Sequence, residues 1–357
     1  MNLFPELHAN RCTRYRFRYS ECTRCNDACP HDAIGLSDEG VTIARELCKG
    51  CGLCVAACRT ETFEMAGLAA AALVRKASGG TVFTIACEPS RAGADAVVPC
   101  LGAMSPALVA CIARQGADVR LCASEHCAEC VHAPRGGEAL DGMLDAVLAL
   151  CADRPAEGGS IRLAQSSTPR RSRAIDAGAS RRAFFRRIAA AAATPTAAET
   201  AVPLRAIRAA RPFASAQRDL LQQLSLAGSA AAVAAHPGLA TGEVRLHSGC
   251  TGCEACARAC PTAALQVMED ETRWALAFDG TKCVGCEVCR EACQPGVLEL
   301  ATEIPAASFG ERKPVALMVR RKQRCSRCDR VFVATAPEAT LCDVCAGDDH
   351  DFESLFG

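Results

Sequence analysis

The sequence predicts an α+β chain of small cysteine-rich modules: two built on paired four-cysteine runs, a small α/β parallel-sheet module between them, and a C-terminal ribbon. Three observations predict this. The 357 residues include 27 cysteines, and these fall in C-x2-C groups, unlike the scattered cysteines of a short secreted disulfide scaffold. Strand-like segments between residues 81 and 122 each end at a cysteine. Near the end of the chain, two C-x2-C pairs stand thirteen residues apart.

The run Cys250-x2-Cys253-x2-Cys256-x3-Cys260-Pro261 organises the chain. Three thiolates on one tight loop can cap three irons of a cubane, while the fourth points to a second cluster. The motif therefore requires a partner, and Cys283-x2-Cys286-x2-Cys289-x3-Cys293 supplies it. The expected ligand sets cross over, with Cys250, Cys253, Cys256 and Cys293 at one site and Cys283, Cys286, Cys289 and Cys260 at the other. Structural zinc would use pairs of cysteines and not runs of four. This is the ligand run of bacterial 2[4Fe-4S] ferredoxins, which residues 246–305 therefore resemble, and Arg273–Phe278 is expected as the strand between the two halves.

Residues 1–66 resemble a second such module. Cys48-x2-Cys51-x2-Cys54-x3-Cys58 is complete, and Cys22-x2-Cys25-x3-Cys29-Pro30 precedes it with Tyr19 where a first ligand is expected. The nearest upstream thiol is Cys12. The expected sets are Cys12, Cys22, Cys25 and Cys58, and Cys48, Cys51, Cys54 and Cys29, with a [3Fe-4S] or open-iron site and a free Cys12 as the alternative. Gly50, Gly252 and Gly285 precede the second cysteine of three runs, where a residue without Cβ lets the backbone close over a cluster; the leading run has Arg24. Arg11–Tyr19 interleaves cations with aromatics. Such alternation suits base stacking, but it also predicts a half-buried strand whose arginines meet solvent or an acidic partner.

Residues 67–165 read as a helix over 67–78, then strands ending at Cys87, Cys100 and Cys122, with a helix from Ser105 to Gln115. Ligands of parallel sheets gather beyond the carboxyl ends of strands, and there the three thiols meet Cys127-x2-Cys130. Cys111 and Cys151 lie inside helical patterns and read as packing residues. Only about eight residues join the first two strands, short for a parallel crossover. Cys100-Leu101-Gly102, Gly116-Ala117-Asp118-Val119 and the closing Cys127-x2-Cys130 resemble the small iron–sulfur subunit of methyl-viologen-reducing hydrogenases. That resemblance implies a [2Fe-2S] centre on Cys87, Cys100, Cys127 and Cys130 or Cys122; a zinc site or free thiols are the alternative.

Residues 166–245 read as an Arg/Ala-rich connector. From Ser160 to Arg218 there are twelve arginines against two acids, Asp176 and Glu199, a local charge of +10 within a chain of 40 basic and 40 acidic residues. Four prolines break its Ala-rich runs, suggesting short helices in a mobile linker. Ser180-Arg181-Arg182-Ala183-Phe184-Phe185 matches a twin-arginine export core but lies deep in the chain, so a fusion relic or a basic docking helix is expected instead. Residues 180–300 resemble ferredoxin-type accessory proteins of periplasmic nitrate reductase, and residues 1–66 resemble four-cluster ferredoxins that accompany molybdenum or tungsten formate dehydrogenases.

Over residues 313–357, Cys325-x2-Cys328 and Cys342-x2-Cys345 have zinc-ribbon spacing on two knuckles, and four thiolates without an open position imply a structural Zn2+; a rubredoxin-type iron is the alternative. Arg320, Arg321, Lys322, Arg324, Arg327 and Arg330 leave a nucleic-acid contact open. Residues 1–20 lack an apolar signal core and no run of 18 apolar residues occurs, so a soluble cytoplasmic protein is expected. No phosphate loop, dinucleotide fingerprint or catalytic triad pattern is present. The expected role is single-electron relay to or from a redox enzyme complex, formate dehydrogenase-like or hydrogenase-like. An assembly factor for such an enzyme and an iron–sulfur nucleic-acid binder are the alternatives.

Overall fold

Each cysteine run lies on a loop that closes into a single helical turn, and the short strands on either side hold that loop in place. The structure is a computed structural model, and it describes residues 4–78, 80–151, 159–166, 207–224, 232–310, 313–334, 336 and 338–347. The chain divides into two compact units, residues 1–9 with 22–203 and residues 10–21 with 204–357.

The first unit opens with β1 (Glu6–Leu7), α1 (Arg24–Asp27), the hairpin β2 (Ile34–Ser37) and β3 (Gly40–Ile43), and α2 (Leu53–Ala57). β4 (Phe63–Glu64) returns to pair antiparallel with β1. The α/β part follows as α3 (Ala70–Ala77), β5 (Val82–Cys87), β6 (Ala96–Val98), α4 (Pro106–Arg114), β7 (Asp118–Ser124), α5 (Arg135–Cys151) and β8 (Ile161–Ser166). The sheet order is β6-β5-β7-β8, every pair parallel. α4 is buried along eight of its nine residues because it is apolar all round and α5 packs on it.

The β5–β6 connection is short, as the sequence implied, and the register explains how it closes. β6 begins opposite Ile85 and ends opposite Cys87, so the chain must climb back only two residues, roughly 7 Å. Asp95 fastens the return, its carboxylate accepting from the Thr84 amide at 2.8 Å.

The second unit contains α6 (Ala216–Gln223), β9 (Val233–Ala234), β10 (Val244–Leu246), α7 (Ala255–Ala259), the hairpin β11 (Leu265–Glu269) and β12 (Arg273–Phe278), α8 (Val288–Glu291), β13 (Leu298–Leu300), β14 (Glu303–Ile304), β15 (Val315–Arg324) and β16 (Val331–Val333). β9 pairs with β14 and β10 with β13. β15 does not stand apart as ribbon: it lies antiparallel against β12, making one sheet in the order β11-β12-β15-β16. The core here is Trp274, Leu276, Phe278, Leu265, Val244 and Leu298 packed around Cys256, Cys260 and Cys289.

Three expectations change. Arg11–Tyr19 is not a strand: Thr13–Arg16 form one helical turn, and only Phe17 bridges to a neighbour, Ile207. The alternation fails because Arg16 turns inward, 1 % exposed, donating to the carbonyls of Asn10, Ala210 and Arg211. Cys151 is exposed at the end of α5, whereas Cys111 is buried in α4. The expected connector ends earlier than residue 245, since α6, β9 and β10 already belong to the second unit; the twin-arginine-like residues 180–185 lie outside the described residues.

Candidate cluster and metal sites

Local backbone geometry shapes each cysteine loop. The residues flanking the second cysteine are left-handed in three runs: Gly50 and Gly52, Gly252 and Glu254, Gly285 and Glu287, with φ between 62° and 78°. Gly252 also has no room for a Cβ at ease, which would lie 3.1 Å from the Arg320 guanidinium. The leading run lacks these turns and carries α1 instead. A second repeat follows the last cysteine of all four runs: Asp32, Glu61, Ala263 and Gly296, each three residues on, have φ of 50–67°. This turn brings amide donors onto sulfur, with Ala33, Thr62 and Leu265 donating to Cys29, Cys58 and Cys260 at 3.4, 3.3 and 3.5 Å. Such donors favour the thiolate form that metals bind.

In the second unit, one cleft of about 360 Å³ is lined by Cys250, Cys253, Cys256 and Cys293. Another, of about 330 Å³, is lined by Cys260, Cys283, Cys286 and Cys289. The fourth cysteine of each run thus faces the loop of the other. Burial pushes the thiols of Cys256 and Cys283 up to about 12 and raises Cys289 as well. As thiolates these groups need compensating positive charge, which iron supplies. Trp274 fixes the first loop by donating to Glu254 at 3.1 Å, and Arg320 donates to the carbonyls of Cys250 and Thr251.

In the first unit, burial raises Cys54 and Cys51, and the neighbouring thiols that add to this are Cys29 and Cys48 for both. Those four residues converge. Cys25 also acts on Cys54. Cys12 is buried ahead of the turn Thr13–Arg16, in the segment grouped with the second unit, whereas Cys22, Cys25 and Cys58 belong to the first.

The middle module brings Cys87, Cys100, Cys127 and Cys130 around one cleft of about 370 Å³, with His132 on its wall. Cys122 is not among its lining residues, because β7 continues beyond it to Ser124. Burial pushes Cys100 up to about 12, with Cys51, Cys87 and Cys127 adding to the shift. Sequence reasoning missed His31 and His132. His31 Nε2 lies 3.0 Å from His132 Nδ1, and burial, reinforced by Lys49, lowers the His31 pKa. Their only sequence mark is position, His31 two residues after Cys29 and His132 two after Cys130.

At the end of the chain, the Sγ atoms of Cys325, Cys328, Cys342 and Cys345 all lie within 4.8 Å of one another. The amides of Cys342 and Cys328 hold the Cys325 thiol down at about 6. Four of the six basic residues around this knuckle contact groups of this chain. Besides Arg320, Lys322 pairs with Glu269 at 2.7 Å, Arg324 with Asp329 at 2.8 Å, and Arg327 donates to the Cys345 carbonyl at 3.1 Å.

Comparison with known families agrees with this geometry. Residues 249–297 match the 4Fe-4S dicluster domain, and residues 41–64 match the 4Fe-4S binding domain. The first span takes in both runs of the second unit; the second takes in Cys48 to Cys58 but not the leading run. No curated protein matches the chain. Two ferredoxin-type domains support iron–sulfur binding and an electron-transfer role. No helix among the described residues is long and apolar enough to cross a membrane.

Proposed function

We propose that this chain is a polyferredoxin that relays single electrons to or from a redox enzyme complex. The observation that carries the reading is the crossed arrangement of Cys250, Cys253, Cys256 with Cys293 and of Cys283, Cys286, Cys289 with Cys260 around two adjacent clefts. Thiolate-bound cubanes in these positions pass electrons with little nuclear movement. The protein's part is to bury the thiolates, donate amides to sulfur and fix the loops. Cys29, Cys48, Cys51 and Cys54 are assigned to a third cubane and Cys22, Cys25 and Cys58 to a fourth. The cleft of Cys87, Cys100, Cys127 and Cys130 is assigned a [2Fe-2S] centre, supported by four soft donors at one half-buried site. Zn2+ is assigned to Cys325, Cys328, Cys342 and Cys345, whose close tetrad leaves no open position.

The partner proposed, from the resemblance of the ferredoxin modules, is a molybdenum or tungsten oxidoreductase such as formate dehydrogenase, in the cytoplasm. Against a nucleic-acid role, four of the six basic residues around the ribbon, Arg320, Lys322, Arg324 and Arg327, contact carbonyls or carboxylates of this chain. Iron, sulfide and zinc analysis of anaerobically prepared protein tests the reading. About sixteen irons correspond to four cubanes and about eighteen add the middle centre. Mixing with a chemically reduced partner enzyme should bleach the cluster absorbance within the mixing experiment. Folded, iron-free protein that serves the partner equally well would sink the proposal.

A further inference from the structure

We infer that the His31–His132 pair is the contact through which the Cys51 side of the first ferredoxin module exchanges electrons with the four-cysteine cleft of the middle module. The inference rests on the relay reading above and adds a route within the first unit. Three observations meet here. The ligand atoms of His31, Cys51 and His132 all lie within 4.8 Å of one another. The two rings are edge to face, centroids 5.3 Å apart at 79°, with a 3.0 Å nitrogen–nitrogen contact. His132 also lines the cleft that holds Cys87, Cys100, Cys127 and Cys130, so one imidazole pair touches both sulfur sets.

Close packing surrounds the pair. Cys51, Leu53 and Ala103 form a buried group against which Cys100 packs. A Cβ at Gly136 would sit 3.3 Å from the His132 Cβ and 3.4 Å from the Cys100 sulfur, and a Cβ at Gly102 only 2.6 Å from the Gly136 carbonyl. Two glycines thus let α5 approach the cysteine loop until His132 reaches His31, 101 residues away in sequence.

Position gives the pair its use. A nitrogen of each ring lies within 4.8 Å of the Cys51 sulfur, and the two rings in contact extend a packed path from that sulfur to the wall of the four-cysteine cleft. The step is an electron alone: the iron–sulfur centre on the Cys51 side is oxidised by one, the centre in the cleft is reduced by one, and no bond or proton changes hands. A mononuclear ion held by His31, Cys51 and His132 is the competing use of the same three atoms.

The test uses the full-length, anaerobically reconstituted protein and the variants His132→Phe, His31→Phe and His132→Gln. Partly reduced samples are freeze-quenched, and electron paramagnetic resonance follows each centre. We expect unchanged iron and sulfide, unchanged magnetic coupling between the two centres, and exchange about tenfold slower or more in either Phe variant. His132→Gln, which keeps a polar side chain able to hydrogen-bond His31, should recover part of the rate. Exchange as fast in both Phe variants as in the parent overturns the inference and leaves the relay reading intact. A metal ion beyond the iron–sulfur count, lost from the Phe variants, overturns it in favour of a mononuclear site. A Cys100→Ser, Cys127→Ser double variant with undiminished iron would overturn the inference together with the assignment of a centre to that cleft.

Discussion

Arg218 keeps a charge at a place from which burial should expel it. Its side chain is 2 % exposed, and burial lowers its pKa to about 10, against a pull upward from Cys283. What keeps it there is a full set of acceptors: Nε donates to the Thr281 carbonyl at 2.8 Å, one terminal nitrogen to the Thr241 hydroxyl at 2.6 Å, and the other to the carbonyls of Gly280 and Ser308. A buried cation beside the Cys260/Cys283/Cys286/Cys289 site favours its reduced form, and Arg16 adds a second guanidinium under the influence of Cys260 and Cys286. Arg218→Met should therefore lower the reduction potential of that site, read by redox titration of its resonance signal, while the Cys250-side potential moves less. It should also destabilise the second unit by about 3 kcal/mol, since several carbonyls lose a charged donor. Arg218→Lys should keep most of the potential but little of the stability, because an ammonium cannot reproduce the planar fork.

Elements in this fold are short, so their turns carry much of the conformational cost. Ala263 stands at φ 55° and carries only a methyl group, whereas Glu254, at φ 62°, accepts from Trp274. An L-residue in the left-handed region costs about 1 kcal/mol relative to glycine. Ala263→Gly should therefore raise the urea midpoint of cluster loss, while Glu254→Gly should not, because it removes the Trp274 acceptor; equal gains from both would refute this account. The same comparison shows what the sequence could disclose. Gly50, Gly252 and Gly285 were legible, because glycine before a cysteine of such a run has a steric meaning, and so was the crossed lining of the two clefts in the second unit, which local spacing anticipates. The left-handed turn after the last cysteine was not, since Asp32, Glu61, Ala263 and Gly296 share no side-chain type. The cysteine edge of the middle sheet could be read from strand ends, but His31 and His132 meet only through the packing of α5 on the cysteine loop. The ribbon spacing was equally plain, yet nothing local announced that β15 would join β12. Because Cys325 and Cys328 lie in the β15–β16 turn and Cys342 and Cys345 follow β16, chelating the Zn2+ proposed there should loosen β16 and leave the cluster absorbance of the second unit in place. Loss of that absorbance together with one equivalent of zinc would show that the sheet depends on the metal.

At the scale of the molecule, the compact units into which the chain divides cut across the motif spacing at the N-terminus. Residues 10–21 precede the leading cysteine run, so deleting them ought on sequence grounds to harm only the first ferredoxin module. In the structure they belong with residues 204–357. Phe17 is fully buried there and bridges to Ile207, the Arg208 amide donates to the Arg16 carbonyl at 2.7 Å, and Arg208 stacks on Tyr15 at 4.8 Å. Burial of a phenylalanine of this kind is worth about 3–5 kcal/mol against alanine. Phe17→Ala should therefore lower the melting temperature of the second unit, the one containing Trp274, the single tryptophan of the chain. Tryptophan fluorescence follows that unit alone, since its indole is buried among Cys256, Cys260 and Cys289. The first unit, followed by amide exchange along β5 and β7, should melt as before. If the fluorescence transition stays put while exchange in β5 and β7 accelerates, the N-terminal segment stabilises the module it precedes, and the motif boundaries describe the folding units after all.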